Sequence, residues 1–517
     1  MPRFVALAHP YRGLAAACLL MVATLGVQAQ SEEGDATRRL GTTVTPRIGL
    51  SETWTDNLTL APDGQRDRAL ITTVSPGLTV TSQTGMVRGV LDYTLDGLIY
   101  LKSEQKNRLQ NQLNLRGNAE LVPRALFVDV QGNISQQSIS AFGQQSVSNQ
   151  LDSPNRTEVR TWSVTPYWRG ALAGVATFEL RANGQIRTST ESGGAGANAG
   201  DSKEGSVNFS LAGPQGRLLN WGLQANTRRI HYDQTGLDNR SSSAVASLTL
   251  VPDIDWAAGL NAGRERSDFL GKDTSTIYGA SLKWTPSPRT TFNADWQHHS
   301  YGNSHNLLAE HRMTQFVLRV TSSESVSSGG SPTGQMNNYQ LLDLQFTSIE
   351  PDPVRRDTIV RATLAALGLS ADAITSNGFV ANTAMLQRRT DVSLAWTGPR
   401  LTLTLSANDN TSRRLGVAPT GSGGDLALTD NVRQRGATLS VSYRFTPLAT
   451  GTMSYTRQHS SGDGVTVGSG LRSLFATTTI RLGPRTDATV GLRQTRSEDQ
   501  FLAYRENAVY AQLSQRF

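Results

Sequence analysis

Four of the chain's seven histidines fall in one short stretch, His298, His299, His305 and His311. Imidazoles this close could ligate a transition metal. No helical H-E-x-x-H spacing accompanies them, and the competing reading is solvent-exposed histidines at the outer ends of two adjacent strands and their loop. No metal site is assigned. A hydrolase would need a Ser or Thr nucleophile, a His base and a group that orients the base. Serine is so abundant that such pairings carry no information, so no catalytic residue is assigned. The glycine-rich stretches connect strands and form no phosphate-binding loop, so no cofactor is expected. The chain reads as a non-enzyme.

The alternation of side chains is more informative. From Leu113 to Ile134, Leu113, Leu115, Gly117, Ala119 and Leu121 share one parity, and Asn114, Arg116, Asn118 and Glu120 the other. Val122-Pro123-Arg124 turns the chain, and Leu126, Val128, Val130, Gly132 and Ile134 then alternate with Phe127, Asp129, Gln131 and Asn133. Period two marks a strand with one apolar and one polar face. The pattern recurs over residues 87–96, 176–183, 401–408 and 437–445. A strand between lipid and water reads this way. The expected fold is therefore all-β, a single transmembrane antiparallel barrel of about 20–22 strands.

Short connections carry Pro or Gly, as in Gly398-Pro399, Pro447-Leu448 and Gly483-Pro484, whereas 138–155, 189–202 and 410–430 are long, polar and rich in Gly or Ser. The alternation predicts short periplasmic turns and long external loops. Trp168, Trp221, Trp256, Trp284 and Trp396 lie near short turns and read as a periplasmic-side aromatic girdle.

Residues 1–29 read as a secretory signal peptide, with Arg3 and Arg12, an apolar Gly13–Val27 run and a Val27-Gln28-Ala29 cleavage site. The only cysteine, Cys18, would leave with it, so the mature protein would hold no disulfide or thiolate site. Residues 30–43 are expected as a short periplasmic segment and 44–517 as the barrel. The chain is 37% hydrophobic with a formal net charge of +7. The charges are scattered, with no basic stripe interleaved with aromatics, so no nucleic-acid partner is expected.

The polar parity supplies the lumen-facing candidates: Arg88, Asp92, Asp96, Arg116, Glu120, Asp129, Glu179, Arg181, Lys283, Asp295, Arg319, Arg444 and Arg493. Mixed signs, amides and hydroxyls suit a hydrated sugar chain that slides over many weak hydrogen bonds. They equally suit cross-strand pairs that hold a barrel wall together. At the C-terminus, Phe517 with Leu513, Ala511 and Val509 resembles the last-strand signal read by the barrel-insertion machinery, and Gln515 departs from that apolar face.

One region interrupts the pattern. Residues 322–378 do not read as strand: 322–334 is a Ser/Gly linker, Tyr339, Leu342 and Phe346 recur at helical spacing, and Asp352-Pro353 reads as a helix start before Val360, Leu364 and Leu367. The expectation is a small helical insert on the periplasmic side, either a cap with its own core or plug, or a gate or dock for a periplasmic partner. Reading residues 379–386 as a further strand restores an even strand number.

The stretches Glu52-Thr-Trp-Thr-Asp-Asn-Leu-Thr-Leu-Ala-Pro62, Ser75-Pro76-Gly77, Ile134-Ser-Gln-Gln-Ser-Ile-Ser-Ala-Phe-Gly143 and Glu350-Pro-Asp-Pro-Val-Arg-Arg356 resemble the exosortase/PEP-CTERM-system-associated outer-membrane proteins. The resemblance covers most of the mature chain. It implies a porin-like barrel among exopolysaccharide biosynthesis and export genes, and it carries over no catalytic residue. The partners it and the barrel pattern imply are outer-membrane lipid and lipopolysaccharide, the insertion machinery, a polysaccharide and periplasmic export components. The rival expectations are an assembly scaffold and a general small-solute porin.

Overall fold

The computed structural model describes residues 41–517 except 102, 191–199, 215, 272, 328–378, 417–423, 464–467 and 500–502. Residues 1–29, expected as a signal peptide, and the stretch 328–378, expected to hold the helices of the insert, lie outside the described residues. Twenty-two antiparallel strands form one sheet, each hydrogen-bonded to its sequence neighbours, and β1 (Gly41–Thr55) pairs with β22 (Tyr504–Arg516) to close the ring. Closure leaves no unpaired sheet edge. The register runs from Arg47↔Arg516 to Thr55↔Ala508, and the Phe517 amide donates to the Pro46 carbonyl at 2.9 Å.

The remaining strands are β2 (Ala69–Gln83), β3 (Val87–Leu101), β4 (Arg108–Val122), β5 (Leu126–Ser138), β6 (Arg156–Leu172), β7 (Ala176–Ser189), β8 (Ser202–Ala212), β9 (Leu219–Tyr232), β10 (Asp238–Asp253), β11 (Trp256–Ser267), β12 (Asp273–Ser287), β13 (Thr290–His299), β14 (Gly302–Arg312), β15 (Phe316–Ser327), β16 (Met385–Thr397), β17 (Leu401–Arg414), β18 (Asn431–Thr446), β19 (Ala449–Gly462), β20 (Ser469–Arg481) and β21 (Thr486–Asp499). A single turn of helix, α1 (Asp425–Leu428), lies between β17 and β18.

Alternation decides which face is which. Val44, Ile48, Leu50 and Trp54 on β1, Val207 and Phe209 on β8, and Val490 and Leu492 on β21 are large, apolar and 38–56% exposed. Such side chains cover the outside of the barrel, and an apolar exterior of this extent is that of a barrel seated in lipid. Trp168, Trp221, Trp256, Trp284 and Trp396 stand on this outer parity beside the short turns, with Trp256 and Trp284 directly paired across β11 and β12.

The connections at the end that holds Gly41 and Phe517 are all short, and the long connections lie at the other end, which also has the two-residue turn Ser300-Tyr301. Three expectations for this region change here. Residues 322–327 continue β15, pairing through Ser322↔Thr390 to Ser327↔Met385. The pairing rests on backbone hydrogen bonds that need no apolar face, with the Ser322 hydroxyl also bonded to His305 and Thr390 and Val326 packed beside Phe269 and Leu386. Residues 379–384 add no strand: Phe379 makes a single bridge to Ser138, and regular pairing starts at Met385. Ser327 and Met385 therefore stand at the long-connection end, which corrects the placement of the insert on the short-turn, periplasmic side.

Candidate functional site

Every lumen-facing candidate stands on the parity opposite the exposed apolar side chains. Many are engaged with neighbours. Asp92 accepts a two-pronged bond from Arg47 at 2.6 and 2.8 Å. Asp129 takes one from Arg181 at 3.0 Å and one from Asn118 at 2.6 Å, while Arg181 also reaches Glu179 at 3.0 Å. The Arg181 guanidinium lies 4.1 Å from the Tyr167 ring centroid, Tyr167 stacks on Phe127, and Arg169 covers the far face of Phe127. These guanidiniums occupy aromatic faces as well as pairing with carboxylates. Arg319 bonds Glu310 at 2.8 Å, Asp96 accepts from Ser75 and Gln112, and Glu120 caps the Arg124 amide in the tight turn. Arg116 also has a partner. Arg88, Lys283, Asp295 and Arg444 are exposed and have no ion-pair partner among the described residues.

The deepest pair joins the closing strands. Arg493 on β21 and Glu506 on β22 are 5% and 0% exposed, bonded at 2.7 Å, and the Thr55 hydroxyl donates to the same carboxylate. Arg47 and Glu506, absent from the sequence-based set, lie on the polar parity of the first and last strands, where a fuller reading of the pattern would have found them.

The four histidines do not converge. His299 faces inward and bonds Glu265 at 2.8 Å, stacked on Tyr301. His298 and His305 face outward, against Asn303 and Glu324 respectively. His311 sits at the opposite end of β14, against Thr290. Three residues on alternating faces and a fourth about 20 Å along the strand cannot share one ion.

The long-connection mouth is filled by chain. The β5–β6 connection folds inward: Gln150 reaches Ser51 and Thr73 on the inner wall, Gln144 donates to the Leu60 carbonyl, and the Tyr504 hydroxyl donates to the Gln145 carbonyl at 2.5 Å. Leu151 packs there with Leu58, Leu60, Ile71, Leu98, Leu471 and Tyr504. From the other side comes the segment 379–384. Val380 donates to Ser138 at 3.2 Å, Asn382 to Gln234 at 3.0 Å, and the Ala384 carbonyl accepts from Leu415 at 3.0 Å. A Cβ on Gly200, whose φ is +96°, would come within 2.3 Å of Val380. This one segment touches connections beside β5, β7, β9 and β17. In a ring of 22 strands β5 and β17 stand almost diametrically opposite. The segment therefore crosses the mouth.

The two inward systems meet at Asp425. Its carboxylate accepts from the Ser140 hydroxyl and the Ala141 amide, both at 2.5 Å, and Leu426 packs with Ala141, Phe379, Ala381, Met385 and Val432. Burial pushes the Asp425 carboxyl up to about 6, against the lowering effect of those two hydrogen bonds. Nothing local in Gly424-Asp425-Leu426 signals this role, because the partner lies 285 residues away.

No protein-family model and no curated protein matches the chain. Its fold is similar to solved outer-membrane barrels. The FrpB iron transporter of Neisseria meningitidis aligns over 92% of this chain and 82% of its own at 10% identity, with a TM-score of 0.47. OccAB1 of Acinetobacter baumannii aligns over 93% and 99% at 9% identity, TM-score 0.34, and OccK3 (OpdO) of Pseudomonas aeruginosa over 92% and 95% at 10%, TM-score 0.32.

Proposed function

We propose that this is a porin-like barrel of the Gram-negative outer membrane that gives a hydrated polysaccharide a path out of the cell, as a component of an exopolysaccharide system of the exosortase/PEP-CTERM type. One observation carries the reading. A wall of mixed-sign, hydrogen-bonding side chains leads to a mouth closed by loops held together by hydrogen bonds and small apolar clusters. Contacts of that kind open at modest cost, whereas a strand-built barrier would not. Amides, hydroxyls and charges of both signs favour a neutral or weakly charged sugar over a strongly ionic solute. The driving force comes from synthesis or from an inner-membrane partner. Val509, Ala511, Leu513 and Phe517 serve recognition by the insertion machinery.

The test is to delete the gene and measure polysaccharide separately at the surface and in the periplasm. Retention in the periplasm with loss from the surface is expected, and unchanged amounts in both would overturn export. The loop-filled mouth favours one alternative, a plugged assembly scaffold. It predicts a barrel that stays non-conducting in a planar bilayer after the Asp425 contacts are cut. A general small-solute porin would instead restore nutrient uptake in cells that lack the polysaccharide genes.

A further inference from the structure

Four arginines stand directly opposite one another on the outer face of adjacent strands. Arg457 on β19 pairs in register with Arg472 on β20, Arg472 with Arg496 on β21, and Arg496 with Arg505 on β22. They share the outward parity of Met453, Val490, Leu492 and Val509, which are 45–56% exposed. Like charges placed directly across a strand pair repel, so a row of four is disfavoured unless something negative lies on it. The chain supplies little. Glu498 bonds Arg472 at 3.0 Å and lies 3.9 Å from Arg496, and Asp63 lies 3.9 Å from Arg505. Arg457 has no carboxylate partner among the described residues. Arg433 and Arg435 on β18 extend the positive surface and share Asp409.

The rows beneath tell what the arginines meet. Moving from the long connections toward the short turns, the next outward row is Tyr455, Leu474, Gln494 and Asn507, and the one after it Met453, Ala476, Leu492 and Val509. Rows are about 7 Å apart along a strand. A guanidinium row, a mixed row containing a tyrosine, and then an aliphatic row reproduce the order of headgroup, interface and hydrocarbon. The strands are long enough for this: β19 and β21 have 14 residues each, more than the roughly 9–11 needed to cross the hydrocarbon. Guanidinium matches phosphate oxygens in a two-pronged geometry, which lysine does not.

We propose that the arginine row on β19–β22 is a binding site for the phosphate-bearing headgroup of a lipid in the leaflet at the long-connection end, its acyl chains lying over Met453, Leu492 and Val509. The site rests on the membrane placement proposed above. The anion supplies the charge that the wall lacks, and so fixes how deep this sector sits in the membrane.

The full-length protein, purified in non-ionic detergent, is titrated with bisphosphorylated lipid A in mixed micelles and read by native mass spectrometry. The variant Arg457→Gln/Arg472→Gln/Arg496→Gln/Arg505→Gln should bind at least tenfold more weakly. The corresponding Arg→Lys variant should keep partial binding. Without lipid, the Gln variant should melt no lower than the parent, because repulsion has been relieved; a row held only by Glu498 and Asp63 would melt lower with or without lipid. Binding within twofold of the parent, or displacement by inorganic pyrophosphate as effective as by the lipid, would overturn the proposal. Flotation of the parent with zwitterionic vesicles tests the membrane placement separately. A protein that floats yet shows no lipid A preference defeats the site alone, and one that does not float defeats the placement.

Discussion

The two ends of the lumen use the same chemistry under different exposure. Near the short turns the Arg181–Asp129 pair is 33% and 25% exposed, and Arg88, Lys283 and Arg444 stand in the open. At the mouth the Arg493–Glu506 pair is 5% and 0% exposed, and Asp425 is 5% exposed with two donors. An ion pair in water contributes little, because solvent screens it and its side chains lose entropy. A buried pair holds its strands in register, and losing one partner strands a desolvated charge. One end is therefore lined by solvent-exposed charges, and the other is packed by connections that fold inward over buried ones.

The largest effect should come from removing the inward loop. Replacing residues 141–153 with a short Gly-Ser link should raise single-channel conductance several-fold in planar bilayers; an unchanged conductance would mean the mouth does not limit flow. The next contrast compares the two pairs. Arg493→Ala should destabilise the barrel by about 3–5 kcal/mol, whereas Arg181→Ala should cost about 1 kcal/mol or less. Urea unfolding followed by the gel shift of the folded barrel measures both, and equal losses would erase the distinction between the ends.

The mouth should also respond to pH. Because burial raises the Asp425 carboxyl to about 6, the packed loops favour its protonated form. Their contact is strongest below the free carboxyl value and weakens as pH rises through 6. Conductance should thus be lower at pH 4.5 than at pH 7.5, and Asp425→Asn should flatten the profile. Gly200→Val, which places a branched side chain at positive φ against Val380, should loosen the mouth by a smaller amount and increase protease cutting near residue 380. The smallest expected change is at the end lined by exposed charges. Lys283→Gln with Arg444→Gln should leave stability within about 0.5 kcal/mol while shifting the reversal potential toward cations.

How much was legible follows from which interactions are local. Alternation along Leu401, Leu403 and Leu405, or Ala437, Leu439 and Val441, assigns faces because a strand repeats every two residues whatever surrounds it. The turn at Val122-Pro123-Arg124 was equally plain. Residues 322–327 were missed as strand because their partners at 385–390 lie across the insert and their serines carry no apolar signal. The histidine stretch builds no shared site for a related reason: neighbours in sequence on a strand point to opposite faces.

The sequence by itself determined the barrel, the two-residue parity that separates an apolar face from a polar one, the short and long ends, and the aromatic band beside the turns. Each of these is written in nearest-neighbour periodicity and in the turn chemistry of Gly and Pro. Only the tertiary structure decided that Asp425 meets Ser140, that residues 379–384 cross the mouth, that Arg493 is buried with Glu506, and that four arginines align across β19–β22. These depend on strand register and on loops that return over the lumen, where the free energy lies in pairs separated by many residues and leaves no periodic trace in the chain.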